Sequence, residues 1–228
     1  MEQRLQEQAE YYRARAEEYD EWFYRAGRYD RGAEATAQWF KDAEEVRTAL
    51  HALAPVGEVL ELAAGTGIWT GELIKIGQYI TAVDASAEMN AINRSKHPDA
   101  PLTFIEADLF NWQPDHQYDL IFFGFWLSHV PPEKLDNFLS MVAQALRPGG
   151  KLFLVDSRRE DTSTAANHAD EYPDNLYHER KLNDGRTFTI YKIFYEPDAL
   201  RDRLAQHGIQ AEARYTERYF IYAMGVKN

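Results

Sequence analysis

Val59-Leu-Glu-Leu-Ala-Ala-Gly-Thr-Gly-Ile-Trp-Thr70 decides how this chain reads. Val59, Leu60 and Leu62 form a short apolar run of the kind a parallel sheet buries on both faces. Gly65 and Gly67 follow, and glycine reaches backbone angles closed to other residues. A helix is predicted over 67–76, and its first turn offers unpaired amides to a polar ligand. Ala63 and Ala64 keep the turn slim, so a ligand can touch bare backbone. A glycine pair alone also serves packing turns. Asp84 separates the two readings, because it ends a second strand-like run, Tyr79-Ile-Thr-Ala-Val-Asp84. It falls at roughly the 20-residue distance at which a doubly wound sheet sets a carboxylate on ribose hydroxyls.

The dinucleotide fingerprint G-x-G-x-x-G does not fit, since the turn continues Gly65-Thr-Gly-Ile-Trp-Thr-Gly71, one residue out of step. Instead, Glu61-Leu-Ala-Ala-Gly-Thr-Gly67 resembles the E/D-x-G-x-G-x-G signature of class I S-adenosylmethionine (SAM)-dependent methyltransferases, with Ala63 at the first glycine. Ala82-Val-Asp84, Glu106-Ala-Asp-Leu109 and Leu146-Arg-Pro-Gly-Gly-Lys-Leu-Phe-Leu-Val155 match that family in order, over about residues 56–156. The resemblance implies an α/β fold, doubly wound, with a seven-stranded and mostly parallel sheet. It implies SAM as cofactor and S-adenosylhomocysteine (SAH) as product. By it, Asp84 holds the ribose, Asp108 meets the adenine amine, and the glycine turn passes under the methionine moiety. It extends the cofactor site to Glu61, Ala63, Gly65, Gly67, Trp69, Ala85, Met89, Leu109 and Phe125.

Composition sets outer bounds. At 228 residues the chain suits one α/β domain with additions. It contains no cysteine, so disulfides, zinc-thiolate sites and thiol catalysis are excluded, and no metal site is expected. A formal charge of −12 argues against nucleic acid as a partner. Without a basic, apolar leader or a bilayer-length apolar run, the protein is expected to be cytoplasmic and free of membrane. A monomer or homodimer is expected. Residues 1–54 read as an amino-terminal helical lid and substrate loop, and residues 55–228 as the SAM-binding core. Strands are predicted near 58–62, 79–84, 102–106, 118–123 and 151–155, with helices near 87–96 and 133–145. The tail, 186–195 and 213–224, reads as two long antiparallel strands around a helix begun near Pro197.

Ligands of open α/β sheets sit beyond the carboxyl ends of the strands. The run Tyr118-Asp-Leu-Ile-Phe-Phe-Gly-Phe-Trp-Leu-Ser-His-Val-Pro131 leaves the sheet there, bringing Phe125, Trp126 and His129 toward the reacting methyl. His129 could act as a base or merely line the pocket. Phe125, Trp126 and Trp69 are candidate pocket walls. In the first helix, Tyr12 and Tyr19 lie one heptad apart on one face beside Tyr11, which suits either a packed stripe or a lid. The stretch after Asp20 mixes aromatics, glycines and arginines, including Arg28, as a substrate loop would. On the run Arg186–Tyr195, Lys192 stands alone among apolar neighbours and needs an anionic partner. Arg180 and Arg158 are further candidates for holding an acid.

Tyr11-Tyr-Arg-Ala-Arg15, Phe122–Pro131 and Leu182-Asn-Asp-Gly-Arg-Thr-Phe188 together look like the bacterial phosphonate O-methyltransferase subgroup of dehydrophos biosynthesis. That resemblance implies an acidic oxygen acceptor, with Arg180 and Lys192 at the anion; the acceptor is expected to be a small molecule or peptide, with Tyr11, Arg28, Trp126 and Arg158 as further candidate substrate contacts. Two readings stand beside it: a His129-assisted methyltransferase of neutral acceptors, and a SAM-binding regulator without transfer.

Overall fold

The computed structural model describes residues 2–166 and 176–228. Its centre is a seven-stranded sheet of β1 (Val56–Leu62), β2 (Gly77–Asp84), β3 (Leu102–Glu106), β4 (Tyr118–Gly124), β5 (Leu146–Ser157), β8 (Ile209–Tyr215) and β9 (Phe220–Lys227), ordered β3-β2-β1-β4-β5-β9-β8. The first five strands pair in parallel, whereas β9 runs antiparallel to β5 and β8 to β9. Strand order reverses between β1 and β4, which opens a crevice at their carboxyl ends.

Alternation along β4 shows why both sheet faces are covered. Ile121 and Phe123 point into one apolar layer, Leu120 and Phe122 into the other, and all four are buried. Helix α6 (Pro132–Ala145) closes the first face with Leu135, Leu139 and Val142, joined by Leu200 and Leu204 of α7 (Pro197–Gln206). Helix α3 (Ala33–His51) closes the second with Trp39, Val46 and Leu50. Each buried aliphatic or aromatic side chain contributes roughly 1.5–3 kcal/mol, which makes α3 a layer of the core and not a lid.

Two expectations change. The helix predicted over 67–76 is only α4 (Thr70–Leu73); beyond it, Lys75 and Ile76 donate to carbonyls three residues back, the tighter bonding that ends a helix. The tail is not two long strands. Residues 213–224 divide into β8 and β9 around a turn where buried Asp42 accepts the amides of Arg218 and Tyr219. The 186–195 run yields β7 (Thr187–Tyr191), which pairs with β6 (Tyr177–Lys181) in a separate hairpin and never joins the main sheet.

That hairpin and the amino-terminal helices form a cap. Helix α1 (Glu2–Ala14) lies against β7 and satisfies its outer edge with side chains. Gln8 accepts from the Tyr191 amide at 2.9 Å and donates to the His129 carbonyl at 3.0 Å, while Glu7 accepts from the Thr189 amide at 2.7 Å. Backbone groups that would lose water are thereby paired.

Candidate active site

Beyond Leu62 the chain turns through three residues in the left-handed region: Ala63 (φ 53°), Gly65 (φ 55°) and Gly67 (φ 86°). Glycine suits the last two. A Cβ on Gly67 would fall 2.3 Å from Asn93 Oδ1, whereas one on Gly65 would project into open space with only the Ala63 carbonyl at 4.0 Å. The backbone at Gly65 is therefore bare on its ligand side, a cradle that fits a cofactor. Ala63 holds its conformation at a cost of roughly 1–2 kcal/mol relative to glycine.

A cleft of 660 Å³ opens over this turn, within the roughly 300–1,000 Å³ of small-molecule sites. Asp84 enters it from the end of β2, with Gly65 N donating to Oδ2 at 2.8 Å and Ser86 N to Oδ1 at 2.9 Å. Burial raises its pKa against the pull of those amides. Ser86 caps α5 (Ala87–Lys96) by accepting from the Met89 amide, which sets Ala85 and Met89 in the cleft wall. Asp108 is exposed at the far end, its carboxylate accepting from the Phe110 amide at 3.0 Å and Asn111 Nδ2 at 2.6 Å, with Leu109 buried beside it. Trp126 also lines this cleft, 5.5 Å from the Phe110 ring, and does not line the inner chamber.

Glu61 is buried at the end of β1 and accepts from Thr70 Oγ1 at 2.6 Å, and Thr70 accepts from Asn93 Nδ2 at 2.9 Å. Desolvation pushes the Glu61 carboxyl up to about 8. Trp69 walls a small side cavity with Glu61 and Gly65; its indole nitrogen is buried and unpartnered. Gly67 itself faces Asn93 and the core more than the cleft.

A second chamber, of about 60 Å³, adjoins the cleft, and Tyr12, Tyr19 and Phe125 line both. Phe125 reaches this junction through a left-handed conformation (φ 55°) directly after β4. Tyr11, Arg180, Lys192 and His129 line the inner chamber. His129 Nδ1 lies 2.6 Å from the Tyr191 carbonyl and Nε2 lies 2.8 Å from the Tyr12 hydroxyl. Burial, followed by the nearby Lys192 charge, holds its pKa well below the ordinary value, so the ring is neutral.

Lys192 is not alone. Its ammonium donates to Ser128 Oγ at 2.8 Å, Ser157 Oγ at 3.2 Å and Asp156 Oδ1 at 3.3 Å, which occupies all three of its donors. Burial lowers its pKa against the opposing pull of Asp156. Its partner was invisible in sequence because Asp156 sits at the end of a different strand. Two other expected residues lie outside the chamber. Arg28 pairs with Glu18 at 3.0 Å and donates to the Lys181 carbonyl, tying the cap's helices to its hairpin. Arg158 donates to the Glu217 carbonyl and stacks over Tyr215.

Arg15 was missed. It lines the chamber, is only 8% exposed, and packs its guanidinium against Tyr11, Tyr19 and Tyr29. Among the described residues its guanidinium makes one hydrogen bond, to the Tyr29 hydroxyl at 3.1 Å, while its Nε has no partner and no carboxylate pairs with it. Helical spacing would set Arg15 with Tyr11 and Tyr19, but α1 ends at Ala14 and Arg15 sits in the turn that follows it. Asp20 was also missed. It accepts from Thr66 Oγ1 in the glycine turn and from Lys96, both at 2.5 Å, and so fastens the cap to the cradle.

Among the described residues no group of His, Asp and Glu could hold a metal ion, and no helix is long and apolar enough to cross a membrane. Residues 59–150 match the family described as a methyltransferase domain. An uncharacterized methyltransferase of Bacillus cytotoxicus is 31% identical over 101 residues, covering 44% of this chain and 47% of that protein; the chain spans about half the length of the curated relatives it matches. A solved complex of DhpI with SAH is 34% identical, covers 97% of this chain and 96% of its own, and superposes with a TM-score of 0.79. A complex of DhpI with SAM and HEP superposes equally well, covering 97% of each chain at 34% identity. With the glycine cradle, the strand-end Asp84 and this full-length likeness in one molecule, the chain belongs to the class I SAM-dependent methyltransferases.

Proposed function

We propose that this protein transfers the SAM methyl group to an acidic oxygen, a carboxylate or phosphonate, of a small molecule or peptide in bacterial secondary metabolism. The observation that carries the reading is Arg15. A buried guanidinium with no carboxylate beside it among the described residues is costly, and the cost is offset when an anion enters. Arg180 and the Lys192 ammonium line the same chamber and add to its positive field. The DhpI complex with SAM and HEP is in keeping with this reading, since DhpI resembles this chain along its length.

Asp84 and the backbone at Gly65 would hold the cofactor, with Asp108 at the adenine end. Bound SAM supplies an electrophilic methyl on a sulfonium. An ionised acid is already a nucleophile and asks the protein for alignment, which Arg15 and Arg180 provide by charge-assisted hydrogen bonds. Phe125 and Tyr19 exclude water at the junction. Both His129 nitrogens are engaged, so His129 offers the chamber no free base. Mass spectrometry of the full-length protein with SAM and paired acceptors tests this. Small carboxylates and phosphonates should gain one methyl on oxygen, while their neutral alcohol and amide counterparts should not. Methylation confined to the neutral set would overturn the reading.

A further inference from the structure

Among the described residues, the inner chamber is walled by the amino-terminal helices, by the β6–β7 hairpin and the residues just after it, by the strand ends of the main sheet, and by Ser163, Thr164 and Ala165. The last three belong to a connection that leaves β5 and passes through a single turn of 3-10 helix (Asp161–Ser163). A connection takes its position from what braces it. Tyr219 ties the start of this one, through Thr162 Oγ1 at 3.0 Å. The carbonyls that lead into the wall are held from the cap. Arg25 donates to the Thr162 carbonyl at 2.5 Å and to the Ser163 carbonyl at 3.3 Å, and Trp22 of α2 (Tyr19–Phe23) adds its indole N–H to the Ser163 carbonyl at 3.0 Å. Just beyond, the Ala166 amide donates to the Arg28 carbonyl at 2.9 Å.

Arg25 does not line the chamber and is only 4% exposed. Its guanidinium lies over the buried Trp39 ring, 4.6 Å from the ring centre. Its backbone takes a left-handed conformation (φ 58°), which sterics disfavour for any residue with a side chain. Such an outlier persists where the surroundings fix it. The planar fork spans two successive carbonyls, which an ammonium on a flexible stem does not reproduce. We propose that Arg25 is a specificity-determining positioning residue, which fixes residues 163–165 as one wall of the chamber and so sets the largest acid that the chamber admits. The volume of about 60 Å³ is a fraction of the roughly 300–1,000 Å³ of drug-sized ligand sites, leaving room for an acid group and little beside it. Ala165 is fully buried and presents only a methyl group, so this wall widens only if its backbone shifts. Arg25 resists that shift from behind. The arginine-bearing stretch after Asp20 thus acts on the acceptor without touching it. The inference rests on reading the chamber as the acceptor site.

The test is calorimetry on full-length, SAH-loaded protein with inorganic phosphate, methylphosphonate and phenylphosphonate. The wild type should bind the first two, and should take phenylphosphonate at least about tenfold more weakly than methylphosphonate. Arg25→Met keeps most of the stem over Trp39 and removes both donors. In it that ratio should fall below about threefold, with SAH affinity unchanged. Arg25→Lys keeps the charge without the fork; it should lower the ratio in the same direction and carries the test if the Met variant does not fold. A preserved ratio overturns the proposal, including the case in which all three anions weaken alike, because Arg25 would then support the fold and not the size limit. A wild type that takes methylphosphonate and phenylphosphonate equally overturns this proposal alone. One that binds none of the three anions overturns the acceptor-site reading and this proposal together.

Discussion

The Asp84 carboxylate accepts the Gly65 amide hydrogen at 2.8 Å, so the strand-end acid and the glycine turn of the neighbouring strand hold each other in position. The ligand carboxylate is thus preorganised, and its second oxygen is fixed by Ser86 N. Each oxygen retains acceptor capacity for a ribose hydroxyl.

Asp84→Ala should therefore weaken SAM binding by about 1–3 kcal/mol for the lost acceptor, and further through loosening of the turn. The core is untouched, so unfolding should change little. Calorimetric titration with SAM checks this, and unchanged affinity would contradict the assignment.

Glu61 gives the ligand-free protein a pH signature. Its folded pKa, about 8, lies above the unfolded value of 4.5. The folded state thus keeps a proton that the unfolded chain releases, and stability falls as pH rises from 4.5 to about 8. Glu61→Gln should remove that decline, which is on the order of a few kcal/mol. Denaturant unfolding of both proteins across this range checks the sign. Parallel stability curves would mean that Glu61 ionises normally.

Sequence legibility followed distance along the chain. The positions of the glycine turn, Asp84 and Asp108 were readable because each is a local signal at the end of one of three consecutive strands, and the parallel sheet followed from the same rhythm. The inner chamber was not readable in full. Its contacts join residues from both ends of the chain, such as Tyr12 with His129 and Gln8 with Tyr191. Alternation identified Lys192 as inward-facing, but periodicity carries no information about Asp156 on another strand. Arg15 was hidden for a related reason, since an arginine in a charged, tyrosine-rich segment looks solvated until the chain is seen to turn after Ala14 and bring Tyr19 and Tyr29 around it.

Lys192 should behave as a structural residue as well as a chamber wall. Lys192→Met leaves Asp156 buried with only the Ser128 and Ser157 amides as donors. Breaking a buried pair in this way costs about 3–5 kcal/mol, and the two amides moderate it. Thermal unfolding without ligands should show a midpoint lowered by roughly 5–15 °C. An unchanged midpoint would mean that the ammonium is dispensable to the fold and serves the acceptor alone.

The central claim is that an anion completes the chamber around Arg15, and titrating SAH-loaded protein with inorganic phosphate by calorimetry tests it most directly. The wild type should bind phosphate, and Arg15→Gln should lose at least about 1.5 kcal/mol, more than tenfold in affinity. SAH affinity should be preserved. Equal phosphate binding by the two proteins, or none by the wild type, would contradict the account.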